Sequence, residues 1–285
     1  MADRYTQRGF TLVEVLFSIG VVALLNGLLL VGVSALQRAA RRSLEQQSVA
    51  SLKFGVEHFR DTFGFLPPLV NDGALTGGDP VQDRLVGGVR RPAPVVYDPE
   101  QRQAWEFLRG QSSDSYRRYS VYALAYYIVG ALVEQVDGIE GPGFYTPLPS
   151  GAFRVAGGQR TDPFFDVSKN ASGLYTEDAD AGRIELRDRN GVAYRYYRWI
   201  PGDEAGAVTE VDDLNTPELL GDVREDPQLR AATYAIVAAG PNEVFGEEAS
   251  EGAAELRLKL GLPSSDPTDK VEAIGRSDNV VEVGQ

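Results

Sequence analysis

The chain has 285 residues, 43% hydrophobic and 24% charged, which is ordinary globular composition with room for one large domain or two small ones. It has no cysteine and a single histidine. That excludes disulfides, thiolate metal sites and a cysteine nucleophile, and argues against zinc sites or triads built on histidine. The net charge of -13 is uneven: residues 63–285 carry -15, an acidic surface that repels phosphate backbones, so no nucleic acid is expected there.

Residues 1–9 are short, polar and basic, with Asp3, Arg4 and Arg8. From Phe10 to Leu36 only Glu14 is ionisable. As a helix this stretch is roughly 40 Å long, enough for a hydrocarbon core of ~30 Å. A carboxylate near one end of such a helix is costly unless it finds a partner. A secretory signal places its apolar region before the cleavage site. Here the apolar region follows the boundary Gly9-Phe10, so cleavage there leaves the helix on the mature protein. Arg4 and Arg8 favour a cytoplasmic leader, while Arg38, Arg41 and Arg42 after the helix argue the other way.

Gly9-Phe10-Thr11-Leu12-Val13-Glu14 resembles the signal of the type IV prepilin and pseudopilin family: a glycine, then Phe-Thr-Leu-x-Glu, then an apolar helix. The resemblance implies that a prepilin peptidase cuts after Gly9 and that the new Phe10 amine is N-methylated. It also implies that Glu14 serves filament assembly, where its carboxylate meets the N-terminal amine of a neighbouring subunit. Further implied partners are other pilin or pseudopilin subunits, in a homo- or hetero-filament, an inner-membrane assembly platform and the lipid bilayer.

From Ala35 to Thr62 there is no proline, and Leu44, Val49, Leu52, Val56, Phe59 and Phe63 recur at helical spacing. The helix is expected to continue as an amphipathic stalk and to end at Phe63-Gly64-Phe65-Leu66-Pro67-Pro68. That break resembles the segment where major pseudopilins leave their stalk. Residues 67–99 read as a Pro/Gly-rich loop, 100–109 as a helix and Tyr116–Val136 as a buried head helix. Residues 137–151 read as a second loop. Strands are expected at 152–156, 183–187 and 192–199, with Asn190-Gly191 as a hairpin turn between the last two. A further strand is expected at 231–238, short helices at 253–260 and 268–274, and a final strand at 279–283.

The expected fold class is α+β and pilin-like. A long N-terminal helix, membrane-spanning in its first half, packs on a small antiparallel sheet with helical and loop insertions. The expected organisation is a leader at 1–9, a transmembrane and assembly half at 10–36, an amphipathic stalk half at 37–66 and an acidic head at 67–285. Within the head, Thr161-Asp162-Pro163-Phe164-Phe165, Tyr194-Arg195-Tyr196, the run from Tyr234 to Asn242 and Ser277-Asp278-Asn279-Val280 resemble successive pseudopilin segments. Long insertions at 67–151 and 165–191 separate them. In major pseudopilins the last loop binds Ca2+, so the resemblance implies Asn242, Glu243, Asp278 and Asn279 as candidate calcium ligands, with Glu247 and Glu248 nearby; a merely solvated acidic loop is the alternative.

Other groups carry weaker signals. His58 is expected to be structural. Asp212-Asp213 and the pair Asp178 and Asp180 read as solvated loop acids, not an acid/base pair. Gly87-Gly88 and Gly157-Gly158 lack a phosphate-loop lysine pattern. The tyrosines of 116–127 and 194–197 are expected in core and strand packing. No catalytic spacing is found, so no enzymatic activity is expected. The functional expectation is a structural subunit of a type II secretion pseudopilus or a type IV pilus-like filament. Its expected location is the inner membrane, single-pass with a periplasmic or extracellular head, and then the filament. The alternatives are a minor tip pilin or adhesin, or a membrane-tethered binding or enzymatic head.

Overall fold

A computed structural model describes residues 12–71, 79–86, 89–97, 119–154, 158–170, 172–179, 181–199, 218–221, 226–247 and 251–285. The protein is an α+β molecule with an N-terminal helix and antiparallel sheets. It divides into two compact units, residues 1–43 and 44–285. The expected helix at 100–109, the start of the one at 116 and the acids Asp180, Asp212 and Asp213 lie outside the described residues.

Helix α1 runs Leu12–Phe63 without a proline to interrupt it. It ends where the sequence places the break: Gly64 adopts φ +82°, and its N–H donates to the Arg60 carbonyl at 2.7 Å. In the 44–285 unit, Val49, Leu52, Val56 and Phe59 of α1 are completely buried. Their spacings of three and four residues put them on one face. Leu44, expected on this stripe, is instead exposed at 39%, while Glu45 is buried.

The central sheet has four antiparallel strands in the order β12 (Val280–Gly284), β11 (Tyr234–Ala238), β10 (Arg195–Arg198) and β5 (Tyr119–Ser120). Tyr196 is the register point, opposite Ile236 on one side and Ser120 on the other. Side chains alternate between the two faces. Tyr196, Ile236 and Ala238 join the α1 stripe in one core cluster with Tyr126, Ile128 and Phe144. Tyr197, Ala235 and Val237 face a second cluster with Trp199, Leu229 and Phe245. Both central strands are therefore buried throughout, which is why β11 reads as a continuous apolar run.

Several expectations are corrected. The stretch 67–99 is not a plain loop. Strand β1 (Leu69–Val70) pairs with β4 (Val96–Tyr97), and β2 (Val81–Val86) pairs with β3 (Val89–Pro94) in a register ending at Val86↔Val89. Pro92 and Pro94 hide β3, because proline suits only an unpaired N–H or an edge. The Gly-Gly dipeptide at 87–88 is a hairpin signal in the sequence.

The expected helix over 116–136 is broken. Strand β5 comes first, and the Ser120 hydroxyl accepts the N–H groups of Tyr122 and Ala123 at 3.2 and 3.1 Å. A five-residue π-helical turn, Ala125–Val129, follows and stops at Gly130 with φ +70°. A Cβ on Gly130 would lie 2.5 Å from the Gly143 carbonyl oxygen. Then comes the short helix α2 (Glu134–Asp137). The apolar periodicity here reports full burial of Ala125–Val129, not a long helix.

Of the expected strand at 152–156, residues 155 and 156 lie outside the described residues, and 152–154 form a bridge between Pro147 and Phe153; among the described residues of 144–161, β6 (Phe144–Tyr145) and β7 (Arg160–Thr161) pair. Strand β9 (Arg183–Arg187) pairs with β8 (Gly173–Asp178), not with β10 as the Asn190-Gly191 turn suggested. That turn is present, but beyond the bridge Arg187↔Ala193 the chain leaves for the central sheet. The short helix α3 (Pro227–Ala231) precedes β11, and α4 (Ala253–Leu260), α5 (Thr268–Arg276) and β12 match the expected C-terminal order.

Phe59 packs edge-on against Phe63 at 4.8 Å, Phe65 at 5.4 Å and Tyr127 at 6.0 Å between ring centroids. Phe59→Ala should therefore lower unfolding stability by about 3–5 kcal/mol. Gly130→Ala combines a left-handed backbone with a collision and should cost at least about 2 kcal/mol. Denaturant titration of both variants checks these values; a loss under about 1 kcal/mol at Phe59 would contradict its place in the core.

Candidate assembly helix and its docking to the head

Residues 1–11, with the Gly9-Phe10 junction, lie outside the described residues, as does the side chain of Glu14; the backbone of residue 14 belongs to α1. The large apolar side chains described in the first half of α1 are uncovered. Leu12 is 78% exposed, Phe17 72% and Leu36 71%, with Leu16, Leu24 and Leu29 similarly open. Burying one such side chain is worth ~1.5–3 kcal/mol, so a helix face of this kind calls for a lipid or protein cover. Among the described residues no helix is long and apolar enough to cross a membrane. Several side chains between 28 and 38 are outside the described set, and the sequence from 15 to 32 contains no ionisable residue.

In the second half, α1 brings a charge into the head. Glu45 is 6% exposed and Asp188 5%. Asp188 sits in the turn after β9, where its Oδ1 accepts the N–H of Asn190 at 2.8 Å and of Val192 at 2.9 Å. Its Oδ2 is buried with no donor among the described residues, and the carboxyls of Asp188 and Glu45 are within hydrogen-bonding reach. Burial, and then the charge of Asp188, push Glu45 up to about 7. Burial also raises Asp188, while the Val192 N–H and Glu45 pull it back. A second buried acid, Asp137, has its Oδ1 on the Ile139 N–H at 3.0 Å and is pushed up to about 7 by burial.

The four residues named for calcium are brought close together, and several of their polar groups hold the loop. The Asn242 N–H donates to Asp278 Oδ2 at 3.0 Å, and its Nδ2 donates to the Gly275 carbonyl at 2.7 Å. Asn242 Oδ1 accepts the Val244 N–H at 3.0 Å. Asn279 Nδ2 donates to the Phe245 carbonyl at 2.9 Å. Glu243 takes the left-handed conformation, φ +61°, that closes the Gly240–Asn242 turn. Among the described residues no group of three or more acids or histidines is arranged to hold a metal ion. Asn279 Oδ1 is buried and accepts no hydrogen bond among the described residues, so these bonds leave a candidate oxygen donor for Ca2+. Glu248 is outside the described residues.

Glu247 has a different partner. It meets Arg195 Nη1 at 2.8 Å. The Arg195 side chain is 7% exposed and lies between the rings of Phe245 at 3.8 Å and Tyr119 at 4.4 Å. Burial disfavours its charge, but Tyr197, Tyr119 and Glu247 outweigh that and hold it above its ordinary range. A guanidinium tolerates such a site because it can stack on rings while donating in its own plane. This contact ties the 240–247 loop to the central sheet.

His58 packs edge-on to Phe164 at 4.7 Å. Tyr194, Tyr196 and Tyr197 are buried, as expected for packing. Asp178 accepts the Ala181 N–H at 3.2 Å in the β8–β9 connection. The sequence reading missed Glu45–Asp188 and the Arg195 clasp. The first carries a signal: residues 45, 49, 52, 56 and 59 continue one helical stripe, which places a carboxylate on the buried face. The second carries none, since nothing local joins Arg195 to Glu247.

Residues 4–32 match the family model described as the prokaryotic N-terminal methylation motif. No curated protein and no solved structure matches the chain. The motif is a class III prepilin-like signal and supports a protein of the type IV prepilin and pseudopilin family. A signal of this kind implies processing by prepilin peptidase, insertion into a membrane and assembly with other pilins in general.

Glu247→Ala leaves the buried Arg195 without its carboxylate. The expected loss is about 1.5–3 kcal/mol of stability, with Glu247→Gln keeping part of it. Chemical denaturation at neutral pH measures both; equal stability of all three proteins would remove the clasp from the account.

Proposed function

We propose that the protein is a structural subunit of a type II secretion pseudopilus or a type IV pilus-like filament. The observation that carries this reading is the methylation motif at 4–32 leading into an exposed apolar helix half. Prepilin peptidase removes residues 1–9, and Phe10 becomes the methylated N-terminus. The helix over 10–36 holds the subunit in the inner membrane as a single span, with the acidic head on the far side, until it enters the filament. There the apolar half is covered by the same halves of neighbouring subunits. Glu14 meets a neighbour's N-terminal amine, an interaction strengthened where water is scarce. The domain reading is a leader at 1–9, an assembly half at 10–36, a stalk half at 37–66 and a pilin-like head at 67–285. The role is architectural, not enzymatic.

The large head with insertions at 67–151 and 165–191 favours a second reading, a minor subunit near the filament tip. Glu14 speaks for a subunit that can add beneath others.

Mass spectrometry of the protein from its native membrane should find Phe10 as a methylated N-terminus; an intact Met1 leader would sink the processing claim. Glu14→Ala should insert in the membrane normally but drop out of sheared filaments, by at least about tenfold if the ion pair contributes ~1.4 kcal/mol or more per contact. Unchanged incorporation would remove the assembly role.

A further inference from the structure

The contact between Glu45 and Asp188 is chemically unusual for a docking point between a helix and a head. Two carboxyls, each nine-tenths or more buried, come within hydrogen-bonding reach of one another from α1 and from the turn after β9. Glu45 Oε1 and Asp188 Oδ2 are buried and receive no hydrogen bond from any donor among the described residues. Two ionised carboxylates within hydrogen-bonding reach of one another are costly in a buried site, because desolvation and mutual repulsion add. Something positive must lie between them. Asp188 is already committed as an acceptor through Oδ1 to two backbone N–H groups, which favours its ionised form. Glu45 has no such support.

Among the described residues no cation bonds Glu45 Oε1 or Asp188 Oδ2. From the turn, the Arg189 charge reaches Glu45 but is weaker than burial and the Asp188 charge together. From the segment before β12, Asp278 adds further negative charge. From the segment before β10, the Tyr194 hydroxyl shares a 2.9 Å hydrogen bond with Ser172 and also interacts with both acids. On α1 itself the Ser48 hydroxyl donates to the Leu44 carbonyl at 3.1 Å. No group of three or more acids arranged for a metal ion is found among the described residues. A proton is the remaining bridge.

We propose that Glu45 carries a proton which it donates to Asp188 Oδ2, and that this shared proton is the clasp holding the β9–β10 turn to the buried half of α1. Losing the proton to solvent turns an acid–carboxylate hydrogen bond into a buried carboxylate pair, and the turn loosens from the helix. Such a clasp makes the seating of the head on α1 respond to the pH on the head's side.

The sign follows from proton binding. Glu45 is held above its ordinary value of 4.5, at about 7, so the folded form binds the extra proton between those values. Stability from the clasp is full below about pH 4.5 and is lost as pH rises through about 7. The test is thermal or denaturant unfolding of the full chain in detergent from about pH 5 to about pH 8, for the wild type and Glu45→Gln. The glutamine amide donates to Asp188 at every pH. The folded-to-unfolded ratio of the wild type should fall relative to the variant by up to about tenfold per pH unit. Asp137 titrates in the same window in both proteins and cancels in the comparison. Parallel profiles would overturn the proposal.

Infrared spectra of the wild type with isotope-labelled glutamate give a readout that does not depend on the variant's folding. A protonated glutamate band should persist near pH 6 and vanish by about pH 8; no such band near pH 6 overturns the shared proton. Millimolar Ca2+ provides the third arm. If it raises the wild-type midpoint near pH 8 and leaves Glu45→Gln unchanged, the pair is a cation site and the proton clasp is wrong; no effect on either supports the proton.

Discussion

The head depends on one packing constraint: the buried stripe of α1 must be covered. Val49, Leu52, Val56 and Phe59 have no exposed surface, and their cover comes from distant parts of the chain. The segment 122–129 supplies Tyr126, Tyr127 and Ile128, and the central sheet supplies Tyr196 and Ile236. Gly55, on the same helix, permits close approach, since a Cβ there would lie 2.8 Å from an Ile128 methyl. This need also explains the broken helix at 119–138. A straight helix could not bury Ala125–Val129 against α1 and then return the chain to Phe144; the left-handed Gly130 makes that reversal.

The opposite face of the sheet is closed by a different logic. Its cluster of Tyr197, Trp199, Leu229, Val237 and Phe245 includes a buried cation among aromatic rings. Arg195 leaves the sheet, stacks on Phe245 and reaches Glu247, so one side chain orders the loop after β11. That loop in turn lies on the C-terminal segment, where Gly240 has room for no side chain: a Cβ would sit 2.4 Å from the Asp278 carbonyl oxygen. Polar groups of Asn242, Asp278 and Asn279 form a hydrogen-bonded junction between 240–247 and 275–279. Carboxamides and carboxylates serve equally well for cation binding and for loop closure, and only the direction of each donor separates the two.

Charge is handled differently in the two halves of α1. In the first half the large apolar side chains described are open, which leaves their burial to lipid or to other subunits. In the second half burial is internal, and it includes an acid whose neutral form burial favours. The helix thus carries two carboxylates at opposite kinds of boundary. Glu14 belongs to an interface between molecules in the proposed filament, while Glu45 belongs to an interface within the head.

The sequence by itself determined the N-terminal signal, the extent of α1 to Phe63, and the C-terminal order of strand, two helices and strand. It did so because each rests on local rules: a fixed motif, an unbroken helical period, a glycine stop and short periodic runs. It also determined that Glu14 is the one ionisable residue in the apolar stretch from Phe10 to Leu36. Only the tertiary structure decided which strands pair, since Asn190-Gly191 makes the expected turn while β9 and β10 go to different sheets. It alone decided that the apolar run at 121–132 is a buried turn and not a long helix, because full burial erases the periodicity that distinguishes the two. It alone joined Arg195 to Glu247 and Glu45 to Asp188, contacts across 52 and 143 residues that no local pattern encodes.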